Sequence, residues 1–400
     1  MSSSFNIRIE QRIIEIEKSL DFALVNNFVV SFGLLNGKTG IALFYAYLYQ
    51  LTSENKYLNK CYSLIKEISK KAILGFRNTY NYANGFAGFG WLLHHLGQMG
   101  ILEGDSVDIL EDLEDCFEGK MLEDFSKGNY DFLYGGVGIL CYFLEKKDIN
   151  EPLVKNALDQ LYRNVSKKNN RFKWQSYDLT KMSKIDSSFN CGMAHGIPSI
   201  LTLYSKAFKL KIFQDKELLE GITKYLLDNK SRNDTLSLYP NVVNDDLPDN
   251  FNSRLGWCYG DLGIAISLYH CYKATNDSSQ YNEALSVLEH SLNRRDLEEN
   301  RIYDAGLCHG TSGIFQIFNR FYLETKNGAY LETSQFWLEK SLSFNKFRCS
   351  SAGYKAYQGI DGFTEEFGLL EGISGIGLSL ISALSKDSTV NNWDKVFLIS

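Results

Sequence analysis

Two kinds of segment alternate along this chain. One is apolar nearly all round, as in Ile41-Ala42-Leu43-Phe44-Tyr45-Ala46-Tyr47-Leu48, Ile200-Leu201-Thr202-Leu203-Tyr204 and Ile264-Ala265-Ile266-Ser267-Leu268-Tyr269. A helix of that kind has neighbours on every side. The other kind carries charges on one face, as in Lys56 to Lys71, Glu151 to Lys168, Lys216 to Asn229 and Glu283 to Arg294. These stretches read as half-exposed helices. The pattern predicts a repeating unit of one buried inner helix followed by one outer helix.

Each apolar run is introduced by the same frame, a polar residue followed by Gly-x-x-Gly. Copies stand at Asn36-Gly37 to Gly40, Asn84-Gly85 to Gly88, Tyr134-Gly135 to Gly138, Tyr259-Gly260 to Gly263, His309-Gly310 to Gly313 and Glu371-Gly372 to Gly375. A further copy, His195-Gly196-Ile197-Pro198-Ser199, ends in Ser instead of Gly. Successive first glycines lie roughly 50 to 60 residues apart, the length of one supersecondary unit in repeat proteins. The residue before the first Gly can hydrogen-bond in all seven copies.

Seven inner helices with like starts predict a closed ring: an all-α fold, an α/α toroid of seven inner and seven outer helices. The starts would converge at one end, and the polar frame residues would face a shared central cavity. Residues 1–400 would then form a single domain. No complete outer helix follows the seventh inner one, so the amphipathic stretch Ile7 to Ala23 is expected to supply it and close the ring. Three polar segments lengthen the spacing. Lys167 to Asn190 is expected to hold a short strand or a flap. Ser231 to Ser253 reads as a long loop entering the frame at Cys258, and Lys346 to Glu366 precedes the last unit. Each comes just before a frame and so should lie at the cavity end, where loops shape binding surfaces.

Composition narrows the picture. Only four prolines interrupt 400 residues, which suits helices. A net charge of −6 argues against nucleic acid as the main partner. No apolar run is long enough to span a bilayer. Met1 to Arg8 leads directly into a charged helix rather than a secretory signal. The eight cysteines, Cys61, Cys116, Cys141, Cys191, Cys258, Cys271, Cys308 and Cys349, are scattered, which speaks against a disulfide framework. Most read as small buried hydrophobes.

Cys258 and Cys308 stand apart from the rest, because both lie two residues before the first Gly of adjacent frames. With His309 they offer two thiolates and an imidazole, three ligands for Zn2+ with one position left open. Oxygen-seeking magnesium or calcium fits this set less well. The plainer alternative, two buried cysteines and a capping histidine, does not account for their matched register. An open zinc site suggests catalysis. Two protein thiolates offset the ion's charge, which favours holding a substrate thiol as thiolate over activating water. His195 occupies the frame position of the fourth unit and could serve as acid or base. Asp131, four residues before Gly135, could hydrogen-bond His195 and fix its tautomer. Alone, it would more often be a helix cap. Tyr259 follows a ligand, and Arg254, four residues before Cys258, could neutralise an anion. For both, an ordinary structural contact is the plainer alternative. His94 and His95 lie mid-helix and read as structural.

These motifs, Trp257-Cys258-Tyr259-Gly260, Cys308-His309-Gly310, Ala194-His195-Gly196 and the repeated Gly-x-x-Gly, resemble those of the lanthipeptide cyclases (LanC proteins). The resemblance covers essentially the whole chain. It implies an α/α toroid with a central zinc held by Cys258, Cys308 and His309, and His195 with Asp131 as the catalytic pair. Arg254 and Tyr259 are implied as further cavity residues. The implied reaction adds a peptide cysteine thiol to dehydroalanine or dehydrobutyrine, forming a lanthionine or methyllanthionine thioether. The substrate would be a dehydrated precursor peptide, leader plus core, with a separate dehydratase and an ABC exporter as partners, gathered at the membrane. Ser199 is a departure from the repeated frame. Some family members carry a small inserted domain, which these motifs do not locate. Three rivals share parts of the pattern: a LanC-like enzyme adding glutathione, a zinc-bearing peptide scaffold without turnover, and a prenyltransferase-like toroid. The last would use a carboxylate ligand that the frames do not offer.

Overall fold

The computed structural model describes residues 3–73, 79–102, 110–348, 350–385 and 388–400. Cys349 lies outside the described residues. Helices dominate, and buried and half-exposed ones alternate. The half-exposed set is α1 (Ser3–Val25), α3 (Asn55–Ile73), α5 (Glu111–Lys127), α7 (Glu151–Tyr162), α9 (Lys216–Asp228), α11 (Ser278–Ser291) and α13 (Gly328–Ser343). The buried set is α2 (Lys38–Thr52), α4 (Phe86–Gln98), α6 (Gly136–Phe143), α8 (Ile197–Lys209), α10 (Asp261–Thr275), α12 (Thr311–Thr325) and α14 (Ile373–Leu384). Every residue of α6 is buried, as are eight consecutive residues of α12 and ten of α14.

The two sets start by different physics. The first four N–H groups of any helix lack an internal partner. Four of the half-exposed helices, α7, α9, α11 and α13, solve this with side-chain caps: Asn150 accepts from Leu153, Asp215 from Leu218, Asp277 from Ser279 and Asn327 from Ala329. Buried helices begin on the first frame glycine, with no side-chain cap. Instead, the N–H of the first helical residue reaches the carbonyl seven residues back. Lys38 bonds Ser31 at 3.0 Å, Phe86 bonds Thr79 at 3.0 Å, Gly136 bonds Asn129 at 3.1 Å, Thr311 bonds Asp304 at 3.2 Å and Ile373 bonds Glu366 at 3.0 Å. The preceding loop thus folds flat over the helix start. That closeness explains the second glycine. A Cβ on Gly138 would collide with the carbonyl oxygen of Phe132, and one on Gly313 with that of Leu307. In the fourth frame Ser199 fits, and its hydroxyl donates to Gly196 O at 2.8 Å.

The chain divides into two compact units. One comprises residues 1–79, 83–92 and 297–400, and the other residues 80–82 and 93–296. In the first, α14 packs against α1, α2, α12 and α13. The contact with α1 buries Ile9, Ile13, Ile16, Leu20 and Ala23, and Ile16 lies against Gly377. Lys60 of α3 pairs with Glu17 and Asp21 of α1 at 2.5 Å each. In the second unit, α10 packs on α8 and α11, and α6 on α5, α7 and α8.

Short strands occupy the expected long segments. β1 (Ser166–Lys168) and β2 (Arg171–Lys173) form a hairpin. Its two-residue turn, Asn169-Asn170, has φ of +53° and +57°, the geometry of a type I′ turn. Hence the helical pattern of Glu151 to Lys168 ends early, at Tyr162. β3 (Tyr177–Asp178) pairs with β4 (Ser183–Lys184). β5 (Ser188–Asn190) pairs with β6 (Val242–Asn244), which ties the 167–190 segment to the 231–253 loop. In the first unit, β7 (Ala356–Tyr357) pairs with β8 (Phe363–Thr364). Among the described residues no helix is long and apolar enough to cross a membrane.

Candidate metal centre and active site

Neighbouring frames are stitched together at the residue two before the first glycine. In the first unit Cys308 N–H donates to Leu370 O at 3.0 Å, Leu370 N–H to Leu35 O at 2.8 Å, and Leu35 N–H to Ala83 O at 2.9 Å. In the second, Ala194 N–H donates to Cys258 O at 3.3 Å. Both frame cysteines therefore stand on backbone that is hydrogen-bonded into a neighbouring loop, the preceding one for Cys258 and the following one for Cys308. Fixed backbone is what a ligand set needs to meet a metal with little reorganisation.

A second regularity lies six residues before the first glycine. That position is Ser31, Thr79, Asn129, Asn190, Arg254, Asp304 and Glu366 in turn, polar in every frame. Four of these side chains accept from the N–H two residues on: Ser31 from Gly33, Asn129 from Asp131, Asn190 from Gly192 and Asp304 from Gly306, at 2.8 to 3.4 Å. This is the Asx- or ST-turn that short polar side chains favour.

His195 stands immediately before α8, and Asp131 in the loop before α6. Nδ1 of His195 lies 2.6 Å from Oδ2 of Asp131. The other Asp131 oxygen accepts from the N–H groups of Leu133 and Tyr134, both at 2.8 Å, so the buried carboxylate cannot rotate away. Burial disfavours the imidazolium. The Asp131 hydrogen bond and charge, with a contribution from the sulfur of Cys258, outweigh it and raise the His195 pKa above 6.5. Two rings accompany the imidazole. Tyr134 stacks at 6.4 Å and 15°, and Tyr259 is tilted at 6.0 Å. The Tyr259 phenol oxygen accepts from Asn190 Nδ2 at 3.1 Å. Arg254 is half-buried and makes no ion pair among the described residues. Gly260 alone of the frame glycines has a positive φ, +89°, which a residue with a Cβ would resist.

In the first unit Cys308 and His309 end the loop before α12. Asp304 lies behind the imidazole, with Oδ2 4.0 Å from Nε2 and accepting from Tyr357 N–H at 2.8 Å. A carboxylate behind a histidine is the usual support for a metal ligand. Cys308 and His309 in this unit, and Cys258 in the other, each offer one ligand atom. Two sulfurs and an imidazole nitrogen are donors that suit Zn2+.

The remaining cysteines and histidines read differently. Burial pushes the thiols of Cys61, Cys141 and Cys191 up to about 12 and that of Cys271 to about 11, which makes them poor nucleophiles. His94 is lowered to about 4 by burial and by Lys146. His95 is buried, with Nδ1 3.5 Å from Glu145. The sequence marks Tyr134 only as a polar frame residue and gives Asn190 and Asp304 no role of their own. The polar register six residues upstream of each frame is the signal that finds two of them.

Residues 29–398 match the family model described as lanthionine synthetase C-like protein. The chain belongs to the LanC-like family. It is 24% identical over 391 residues to the nisin biosynthesis protein NisC of Lactococcus lactis subsp. lactis, covering 92% of this chain and 88% of that one. The solved structure of nisin cyclase superposes with a TM-score of 0.74 at 19% identity, covering 100% of this chain and 98% of the other. That likeness shows the fold of this LanC-like protein, an α/α toroid, as the alternation of inner and outer helices predicts.

Proposed function

We propose that this LanC-like protein is a class I lanthipeptide cyclase that closes thioether rings in a dehydrated precursor peptide. The observation that carries the reading is His195, held by a buried Asp131 at 2.6 Å. The equivalent position two frames later holds His309, next to Cys308. Two relatives, named as a nisin biosynthesis protein and a nisin cyclase, support the same reaction class.

In this reading Cys258, Cys308 and His309 hold one Zn2+. Bound there, the ion would supply a Lewis acid that keeps an incoming peptide thiol ionised near neutral pH. The ring-closing step forms a bond between the peptide cysteine sulfur and the β-carbon of dehydroalanine or dehydrobutyrine. The electron pair of the carbon–carbon double bond moves to the α-carbon and its carbonyl, and that enolate then takes one proton. Asp131 fixes Nδ1 of His195, so Nε2 is the nitrogen that faces substrate and gives the proton to the α-carbon. In this reading Arg254 and the O–H of Tyr259 balance charge on the enolate oxygen. Asn190 donates to the Tyr259 oxygen, which makes the phenol hydrogen its donor end.

The seven units are taken as one ring and residues 1–400 as one domain, with α1 closing it. Support comes from the packing of α14 on both α1 and α2, and from the bond between the seventh and first frame loops at Leu370 and Leu35. Dehydration is assigned to a separate dehydratase and export to an ABC exporter, with the cyclase acting in the cytoplasm.

The test is incubation with a dehydrated candidate precursor, with and without a zinc chelator, followed by counting free thiols. Ring closure consumes thiols without a mass change, whereas glutathione addition raises the mass. Chelation should stop thiol loss. His195→Ala should abolish ring formation, while a binding scaffold without turnover would be indifferent to it. Thiols that persist with the metal present would refute the cyclase assignment on that peptide.

A further inference from the structure

The fifth frame is anchored differently from its neighbours. Its residue six before the first glycine is Arg254, which cannot make the Asx- or ST-turn found at Ser31, Asn129, Asn190 and Asp304. Its first glycine is the one with φ of +89°. Yet this loop carries Arg254, Cys258 and Tyr259. A buried cluster outside the cavity residues takes over the anchoring. Asp261, the first residue of α10, is 0% exposed. Its Oδ1 accepts from Tyr239 N–H at 3.0 Å, and its Oδ2 from Leu238 N–H at 3.1 Å and from Arg294 Nη1 at 3.0 Å. Nη2 of Arg294 then donates to the carbonyl of Ser253 at 2.7 Å, the residue directly before Arg254. Ser253 is held again, its N–H by Ser237 Oγ at 3.0 Å and its own hydroxyl by Tyr239 O at 2.8 Å. One carboxylate and one guanidinium thus tie the start of α10, the 231–253 loop and the turn after α11 to the segment entering Cys258.

We propose that Asp261 and Arg294 are positioning residues for the cyclisation site, setting the backbone from which Arg254 and Cys258 are presented. A buried ion pair is a poor source of net stability, because desolvation of both charges offsets their attraction. The bidentate fork of Arg294, bridging a carboxylate and a carbonyl, is instead suited to fixing geometry. The effect on turnover rests on the cyclase reading; the placement of Cys258 does not.

The test uses the full chain. Arg294→Met should lower kcat about tenfold or more with KM changed less than about twofold, the signature of lost positioning in the transition state. Arg294→Lys keeps the charge without the fork and should recover part of that loss. In an Arg254→Ala background, Arg294→Met should cost clearly less than it does in the wild type, because part of its effect runs through Arg254. Losses that simply multiply would overturn the proposal. A second readout needs no turnover: iodoacetamide alkylation of the metal-free protein, mapped by peptide. Cys258 should react faster in Arg294→Met, while Cys271, buried further along α10, keeps its wild-type rate. No change at Cys258, or equal acceleration at both cysteines, refutes the role. A wild-type protein that forms no rings would remove the cyclase reading, and the cysteine mapping would still decide this one.

Discussion

His195 and His309 hold the same position in two frames and differ through what stands behind them. Asp131 is in full hydrogen-bond contact with His195, whereas Asp304 sits at 4.0 Å from His309. In the proposed reading the first arrangement serves an acid and the second a metal ligand. The His195 pKa is raised in the folded protein, so its charged form contributes stability that is fully present below the unfolded value of about 6.5. That contribution is lost as pH rises through the folded value. Asp131→Asn removes the raising influence and leaves burial, which lowers the pKa. An NMR titration of the metal-free variant should therefore show His195 titrating below its wild-type midpoint, and ring closure should fall about a hundredfold or more. An unchanged midpoint would mean that Asp131 does not govern this imidazole. The contact between Asp131 and His195, like the register of Cys258, Cys308 and His309, could be read from spacing around the frame. Asn190 and Asp304 are marked in the sequence only by the polar register six residues before each frame; that they form turns shows only when their side-chain oxygens are seen meeting an N–H two residues on. Tyr134 was legible as a polar frame residue, but its stacking on the imidazole depends on how two loops meet.

At the scale of the element, the Gly-x-x-Gly pattern marks close backbone packing as much as helix initiation. Gly313→Ala would push a Cβ into the carbonyl oxygen of Leu307 and should cost about 1–3 kcal/mol, like other overpacked sites. Gly119, within α5, has nothing within 4 Å of the Cβ position. Gly119→Ala should instead gain roughly 0.5–1 kcal/mol from helix propensity. Urea midpoints for the two variants, at unchanged slope, check the contrast. If both alanines behave alike, the close-packing account of the second glycine is wrong. Helix alternation was legible because apolar periodicity is strong there. The hairpin after α7 was not, since Lys167 and Lys168 continue a charged helical face by composition. Only the paired left-handed asparagines, Asn169-Asn170, break it.

At the scale of the whole molecule, α1 bears on how the last inner helix, α14, is covered. α1 has two apolar stripes on opposite sides. Ile9, Ile13, Ile16 and Leu20 are buried, while Ile7, Ile14 and Phe22 are 59%, 49% and 61% exposed. Sequence periodicity alone does not say which stripe faces the protein, and the structure resolves it through the contact with α14. Burying four large aliphatic side chains is worth about 1.5–3 kcal/mol each, together about 6–12 kcal/mol. That is comparable to the whole stability of an ordinary domain. Removing residues 3–25 should leave the chain unfolded or aggregated, with α14 stripped of its cover. A sharper form separates the stripes without truncation. Ile16 packs on Gly377, so Ile16→Ala should cost about 2–5 kcal/mol. Ile14→Ala, on the exposed stripe, should stay within about 0.5 kcal/mol of wild type. Thermal or urea unfolding of both variants reads the difference. Equal costs at the two positions would mean that α1 is not the cover of the last inner helix, and the proposed closure of the ring would lose its support.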